Sequence, residues 1–172
     1  MRSVEMEFPK AFPNLALSSE AGELMERARV SRIAVNQAKN RMRVYITSDN
    51  WIKKEYIYEV EDAIASQIFD NAGMEVKVVE HFRLSNQYNP KNFYRLYRTS
   101  MLLELKQVSP LLHQTFLHVK LDFGKDGQIG VELPDTMISR DREGDIVDYL
   151  DKVFAERAGF TNVHFVTSYA GR

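Results

Sequence analysis

Apolar and polar positions change period several times along the chain, and the changes come in the same order twice. Residues 1–16 carry Pro9 and Pro13 and no helical period, which predicts an N-terminal arm. Ser18 and Ser19 then offer caps to a helix reaching about Ala28, with Glu20 and Glu23 near its positive end. From Arg32 to Ile46 the period shortens: Ile33 and Val35 alternate, then Met42, Val44 and Ile46, with polar Gln37–Asn40 between them. That is a hairpin signal. A helix over about Trp51–Asp70 follows, its stripe made by Ile57, Val60, Ile64 and Ile68. Asn71-Ala72-Gly73 stops it, with Gly73 suited to the left-handed position after a helix. Met74, Val76 and Val78 alternate in a third strand running to Phe82.

The second half repeats this order. Ser109-Pro110 starts a short helix to about Leu117, Val119, Leu121 and Phe123 alternate, and Gly124-Lys125-Asp126-Gly127 turns the chain into Ile129, Val131 and Leu133. A helix with Ile146, Leu150, Val153 and Phe154 follows, then Ala158-Gly159, then a strand with Phe160, Val163 and Phe165. An offset of about 86 residues relates the halves, the signature of a duplicated unit. The predicted fold is α+β: two tandem small modules of helix–strand–strand–helix–strand order, the second carrying an extra long helix over Pro90–Val108. The expected divisions are an arm over 1–16, a first module over 17–83 and a second over 84–172. The expected core is Val35, Val44, Ile46, Ile64, Ile68 and Val76 in the first module. In the second it is Leu121, Val131, Leu133, Leu150, Phe154 and Phe165.

Composition narrows the function classes. Hydrophobic residues make up 44% and charged residues 27%, as in a globular protein rather than a disordered one. The net charge of −1 gives no bulk attraction to DNA or anionic lipid, so nucleic-acid contact must come from a local patch. Without cysteine there is no disulfide, thiolate chemistry or cysteine-ligated zinc, which fits a reducing cytoplasm. The first residues lack a signal-peptide core, and no apolar run approaches the roughly 20 residues needed to span a bilayer.

The candidate contact surface lies in His81–Leu105. Asn89 reads as a helix N-cap with Pro90 at the first helical position, where a missing N–H costs nothing. Lys91, Arg95 and Arg98 fall on one face of the helix, and Tyr94, Tyr97, Met101 and Leu105 on an adjoining apolar one. With Lys106 nearby, these cations suit phosphates, and Tyr88, Tyr94 and Tyr97 suit stacking on bases. The plainer reading is a solvated face whose tyrosines pack inward. Only Glu104 interrupts the run, so the local field is positive.

Other motifs carry less. Gly124-Lys125-Asp126-Gly127 matches the Gly-x-x-Gly clamp of KH domains, but that clamp joins two helices, and here the pattern places it between strands, where a hairpin needs glycine anyway. Glu55, Glu59 and Asp62, and likewise Asp145, Asp148 and Asp151, sit at helix-surface spacing without companion histidines and read as solvating charge. His81, His113, His118 and His164 are dispersed. No nucleophile elbow, Walker loop or dinucleotide fingerprint appears. No catalytic residue, metal ligand or cofactor site is named by the residues alone.

The phrase Phe82-Arg83-Leu84-Ser85, Gln87-Tyr88-Asn89-Pro90 and Leu96-Tyr97-Arg98 before a Leu-rich helix resembles the N-terminal region of the PolC-type DNA polymerase III alpha subunit of Gram-positive bacteria. The similarity is strongest over His81–Thr115. That resemblance implies a first module like the polymerase-binding end of the clamp-loader tau subunit and a KH-like second module without the loop glycines. It implies a cytoplasmic role in DNA replication, tethering the polymerase to replisome proteins such as the tau subunit, with single-stranded DNA as a weaker ligand and no membrane contact. The parent would be a DNA-directed DNA polymerase, a nucleotidyltransferase with 3'-5' exonuclease. Its catalytic domains follow the two modules and do not lie within these residues, so no catalytic residue carries over. The competing expectation is a free-standing KH-like nucleic-acid-binding or protein adaptor module; a small enzyme would need titratable groups that the pattern does not supply.

Overall fold

The alternating segments pair as the hairpin pattern requires, and a helix follows each hairpin to bring the next strand back parallel. A computed structural model describes residues 5–171. The chain divides into two compact units, Met1–Ser85 and Asn86–Arg172, which together give a mixed α/β architecture of two sheet-and-helix modules.

In the first unit the order is β1 (Met6–Glu7), α1 (Phe8–Ala11), α2 (Ser19–Glu26), β2 (Arg29–Val35), β3 (Arg41–Ser48), α3 (Lys54–Gln67) and β4 (Glu75–Phe82). Its sheet runs β1-β2-β3-β4, antiparallel except for the parallel pair β3/β4. Of the described arm residues, Met6 and Glu7 join this sheet, Met6 pairing with Val30, while Phe8–Ala11 is helical, and Phe8 and Phe12 are buried with ring centroids 5.0 Å apart. Residues 1–4 of the arm lie outside the described residues. Ser18 caps α2, its Oγ accepting from Ala21 N–H at 3.3 Å. Its own N–H and Oγ donate to the Glu59 carboxylate at 2.6 and 2.8 Å, so one acid of the supposed solvating stripe ties α2 to α3.

The second unit holds α4 (Pro90–Val108), α5 (Pro110–Phe116), β5 (Lys120–Lys125), β6 (Gln128–Leu133), α6 (Met137–Asp151) and β7 (His164–Tyr169). Between α6 and β7 a π-helical segment covers Lys152–Arg157. The sheet order is β5-β6-β7, antiparallel then parallel. This repeats β2-β3-β4 strand for strand in order and direction, as a shared fold requires. Gly127 has φ of 70° at the β5–β6 turn, and an added Cβ there would stand 3.3 Å from Asn162 O. The Gly-x-x-Gly stretch is therefore a hairpin turn between strands.

Cores form on the helix-covered face of each sheet. Met42, Val44, Ile46, Val76, Val78 and Phe82 meet Ile57, Val60 and Ile64 in the first unit, all of them buried. In the second, Val131, Leu133, Leu150 and Phe154 are wholly buried, whereas Leu121 and Phe165 are only half-buried. The Phe154 ring centroid lies 6.0 Å from Phe93, 5.8 Å from Phe165 and 6.2 Å from Tyr94. The π-helical segment carries Val153, Phe154 and Arg157 on its inner side.

Two expected core residues are exposed. Val35 is 49% and Ile68 is 49% accessible. Val35 shares the face of Met42 and Val76, but β1 reaches only Arg29 and Val30, so the far half of β2 is a sheet margin. Ile68 stands just past the last turn of α3. The third strand begins at Glu75 and the last at His164, so Phe160 and Val163 precede β7 and Phe160 packs against Phe93 from a loop.

Burial also lifts the Glu61 carboxyl to about 7, against a favourable hydrogen bond from Val78 N–H at 2.8 Å and the nearby Lys54 ammonium. A carboxyl raised in the folded state contributes stability below its unfolded value near 4.5 and loses it as pH climbs through 7. Glu61→Gln keeps an acceptor for Val78 and removes the charge. Urea titrations should show the variant gaining roughly 1 kcal/mol on wild type between pH 5 and pH 8, with no gain if Glu61 is charged throughout. Phe154→Ala should cost about 3–5 kcal/mol and Val35→Ala under about 0.5, measured the same way.

Candidate nucleic-acid interface

Helix α4 positions most of the candidate contact residues, and its start is fixed by a reciprocal cap. Asn89 Oδ1 accepts from Asn92 N–H at 2.9 Å, and Asn92 Oδ1 accepts from Asn89 N–H at 2.8 Å. Pro90 takes the first helical position, as the Asn-Pro pair predicts. Phe93, Tyr97, Ser100, Met101, Glu104 and Leu105 form the buried stripe. On the other side Lys91, Arg95 and Lys106 are exposed, and Arg98 and Tyr88 are half-exposed.

The tyrosines divide. Tyr97 is fully buried, stacks on Phe93 at 4.9 Å, and its hydroxyl accepts from Arg157 at 3.1 Å. It serves the core and is not a contact residue; its place in the apolar stripe with Met101 and Leu105 is the reason. Tyr94 is half-buried, its ring 5.8 Å from Phe123, and burial raises its phenol above the ordinary range despite the hydrogen bond with Arg98. Tyr94 thus keeps its proton and offers one edge to solvent beside Arg98.

Glu104, the acid that interrupts the basic run, is also inside. Its two carboxylate oxygens accept from Arg157 at 2.8 and 3.1 Å, and Oε1 accepts from the Tyr149 hydroxyl at 2.8 Å. Desolvation, reinforced by the Glu104 charge, pushes the Tyr149 phenol well above its ordinary value, so it remains a donor. The exposed side of α4 is left without that acid, and its field is more positive than the linear sequence suggests. Nothing in the local sequence marks this cluster except that Glu104 falls in register with buried Tyr97, Met101 and Leu105.

Two motifs far apart in sequence meet at the start of α4. Lys91 and Lys125 line one open pocket of about 260 Å³ together with Asn89, Phe123 and Asp126. The lysine of the hairpin turn thereby extends the cationic end of α4, while Lys106 lies in the last turn of the helix, away from it. The acidic stripes offer no counterpart: Glu55, Asp62, Asp145, Asp148 and Asp151 are exposed. Among the described residues no group of three or more His, Cys, Asp or Glu side chains converges as a metal site requires, and no helix is long and apolar enough to cross a membrane.

Arg157→Met leaves the Glu104 charge buried without its partner and should destabilise the second unit by about 3–5 kcal/mol in urea. The double variant Glu104→Leu with Arg157→Met should recover much of that loss. A single variant as stable as wild type would show that the pair carries no such burden.

Neither the curated proteins nor the solved structures give a match to the chain. A family model does, and it lies in the first unit, ending before the His81–Thr115 phrase that carries the resemblance. Residues 7–78, from the end of β1 into β4, match the family DNA polymerase III polC-type N-terminus I.

Proposed function

We propose that this chain is a non-catalytic N-terminal region of a replicative, PolC-type DNA polymerase III, acting in the cytoplasm to tether the polymerase to replisome proteins. The family match over residues 7–78 is the observation that carries the reading. In the same reading the first unit is like the polymerase-binding end of the clamp-loader tau subunit, and that subunit is the leading partner. The second unit is KH-like; its helix–strand–strand–helix–strand order and central β6 support this, although the strand-joining turn excludes the usual clamp loop.

Single-stranded DNA is the secondary ligand of the second unit, taken by Lys91, Arg95 and Arg98 with Tyr88 and the edge of Tyr94, and with Lys106 flanking. Protein comes first because the helix presents few cations, so its contribution to DNA affinity is small and salt-sensitive.

The purified chain should show neither primer extension nor exonuclease activity with magnesium; turnover that vanishes on a point mutation would contradict the reading. Size-exclusion chromatography with the tau subunit should give a complex that survives Lys91→Glu, Arg95→Glu and Arg98→Glu combined. If that triple variant loses the protein complex, α4 is the protein interface. If it loses micromolar single-stranded DNA binding at 150 mM salt, DNA is the main ligand and the ordering is reversed.

A further inference from the structure

The first sheet buries one face under its helices and leaves the other open. The strand register sets out what the open face carries. Arg29, Thr47 and His81 form one row across β2, β3 and β4; Arg32, Tyr45 and Val79 the next; Ala34, Arg43 and Lys77 the third; Arg41 and Glu75 the last. Carboxylates pair with the cations at the two ends. Arg29 is bonded to Glu5 at 3.1 Å and lies 3.7 Å from Asp49, and Arg41 lies 3.7 Å from Glu75. In the middle rows Arg32, Arg43 and Lys77 are exposed, and among the described residues no carboxylate stands at ion-pair distance from them. Tyr45 sits between them, half-exposed, with the Arg32 guanidinium 5.1 Å over its ring.

The acids of this unit are concentrated elsewhere. Glu20, Glu23 and Glu26 belong to α2, and Glu55, Glu59 and Asp62 to α3, in the helical layer. A neutral chain therefore conceals a unit with a cationic sheet face and an acidic helical layer, which repels a polyanion on one side and attracts it on the other.

We propose that this sheet face is a binding surface for single-stranded nucleic acid, with Tyr45 stacking on a base and Arg32, Arg43 and Lys77 taking flanking phosphates. An aromatic ring among cations on a flat, open sheet supplies both terms such a ligand needs, a π-face for the base and charge for the backbone. An acidic peptide would use the charges but bring no planar group for the Tyr45 ring, which in the free chain meets the Arg32 guanidinium. Helix α4 contributes none of these residues, and the proposal stands whether or not α4 binds DNA.

The test is fluorescence anisotropy of the full chain with a labelled 20-nucleotide oligo(dT) across a salt series. With Lys91→Glu, Arg95→Glu and Arg98→Glu in place to remove any share from α4, the chain should bind with a log–log salt slope of about −2, from three phosphates at ~0.7 each. Arg32→Glu, Arg43→Glu and Lys77→Glu combined should weaken binding at least tenfold (about the loss of these contacts) at low salt. Tyr45→Ala should weaken it roughly 5- to 100-fold while leaving the slope unchanged. Circular dichroism melts check that each variant folds. A folded triple variant that binds as wild type does, or binding lost only on reversing Lys91, Arg95 and Arg98, would overturn the proposal. So would a wild type that ignores oligo(dT) but binds a poly-glutamate peptide. Equal affinity for duplex DNA with no effect of Tyr45→Ala would overturn the stacking assignment.

Discussion

A parallel strand pair cannot be closed by a tight turn, and that constraint shapes both units. The chain leaving β3 must travel back along the sheet before β4 can begin, and the same holds between β6 and β7. A helix supplies that path and hides its apolar stripe by lying on the sheet. One face of each sheet is thereby covered, the strands alternate between buried and open positions, and the open positions are free to carry charge. The buried set Val76, Val78, Glu80 and Phe82 and the open set Glu75, Lys77, Val79 and His81 come from one strand read two ways.

What was legible in the sequence is what such a constraint writes locally. Hairpins show as alternation, crossover helices as stripes of three and four, and the start of α4 as Asn-Pro. Breakdowns occur where coverage depends on distant elements. Ile33 and Val35 continue the alternation of a buried strand, yet both are exposed, because β1 is too short to extend the sheet past Val30. Ile68 keeps the helical spacing one residue beyond the last turn. Most contact candidates lie on the outward side of α4, but Tyr97 belongs to the core, because an apolar stripe containing a tyrosine is a core stripe unless its hydroxyl reaches water. Here the hydroxyl is satisfied by Arg157 instead.

Buried charge is the part that sequence hides best. Lys54 and Glu80 are each 2% exposed and meet at 3.0 Å, and Arg157 reaches Glu104 at 2.8 Å. The partners are 26 and 53 residues apart, so no local spacing announces them. A usable signal is the parity of the acid: Glu80 occupies a buried position in the alternation of β4, and Glu104 a buried position in the stripe of α4. An acid in an apolar register implies a buried partner, because an unpaired charge there would cost several kcal/mol. Such pairs are weak contributors to stability and strong constraints on geometry: the Glu104–Arg157 bond, shared with Tyr149, fixes α4 against the π-helical segment in one register.

That arrangement bears on function through what it removes from the surface. With Glu104 inside, the outward side of α4 keeps its cations and loses its acid. In the first unit most of the acids lie at the ends of the open face, on the covered face at Glu80, or on the helices. Net charge is therefore a poor guide here, since the screening length at physiological salt is about 8 Å and a ligand at one face does not sense the other side of the unit. A surface with three or four cations gives contacts that salt weakens steeply, which suits a moving strand better than a permanent attachment. A lasting tether to a protein partner needs buried apolar area that salt does not screen. The two kinds of surface are separate here: the exposed cations lie on the open sheet face and on the outward side of α4, and the exposed apolar side chains Ile33, Val35 and Ile68 belong to neither.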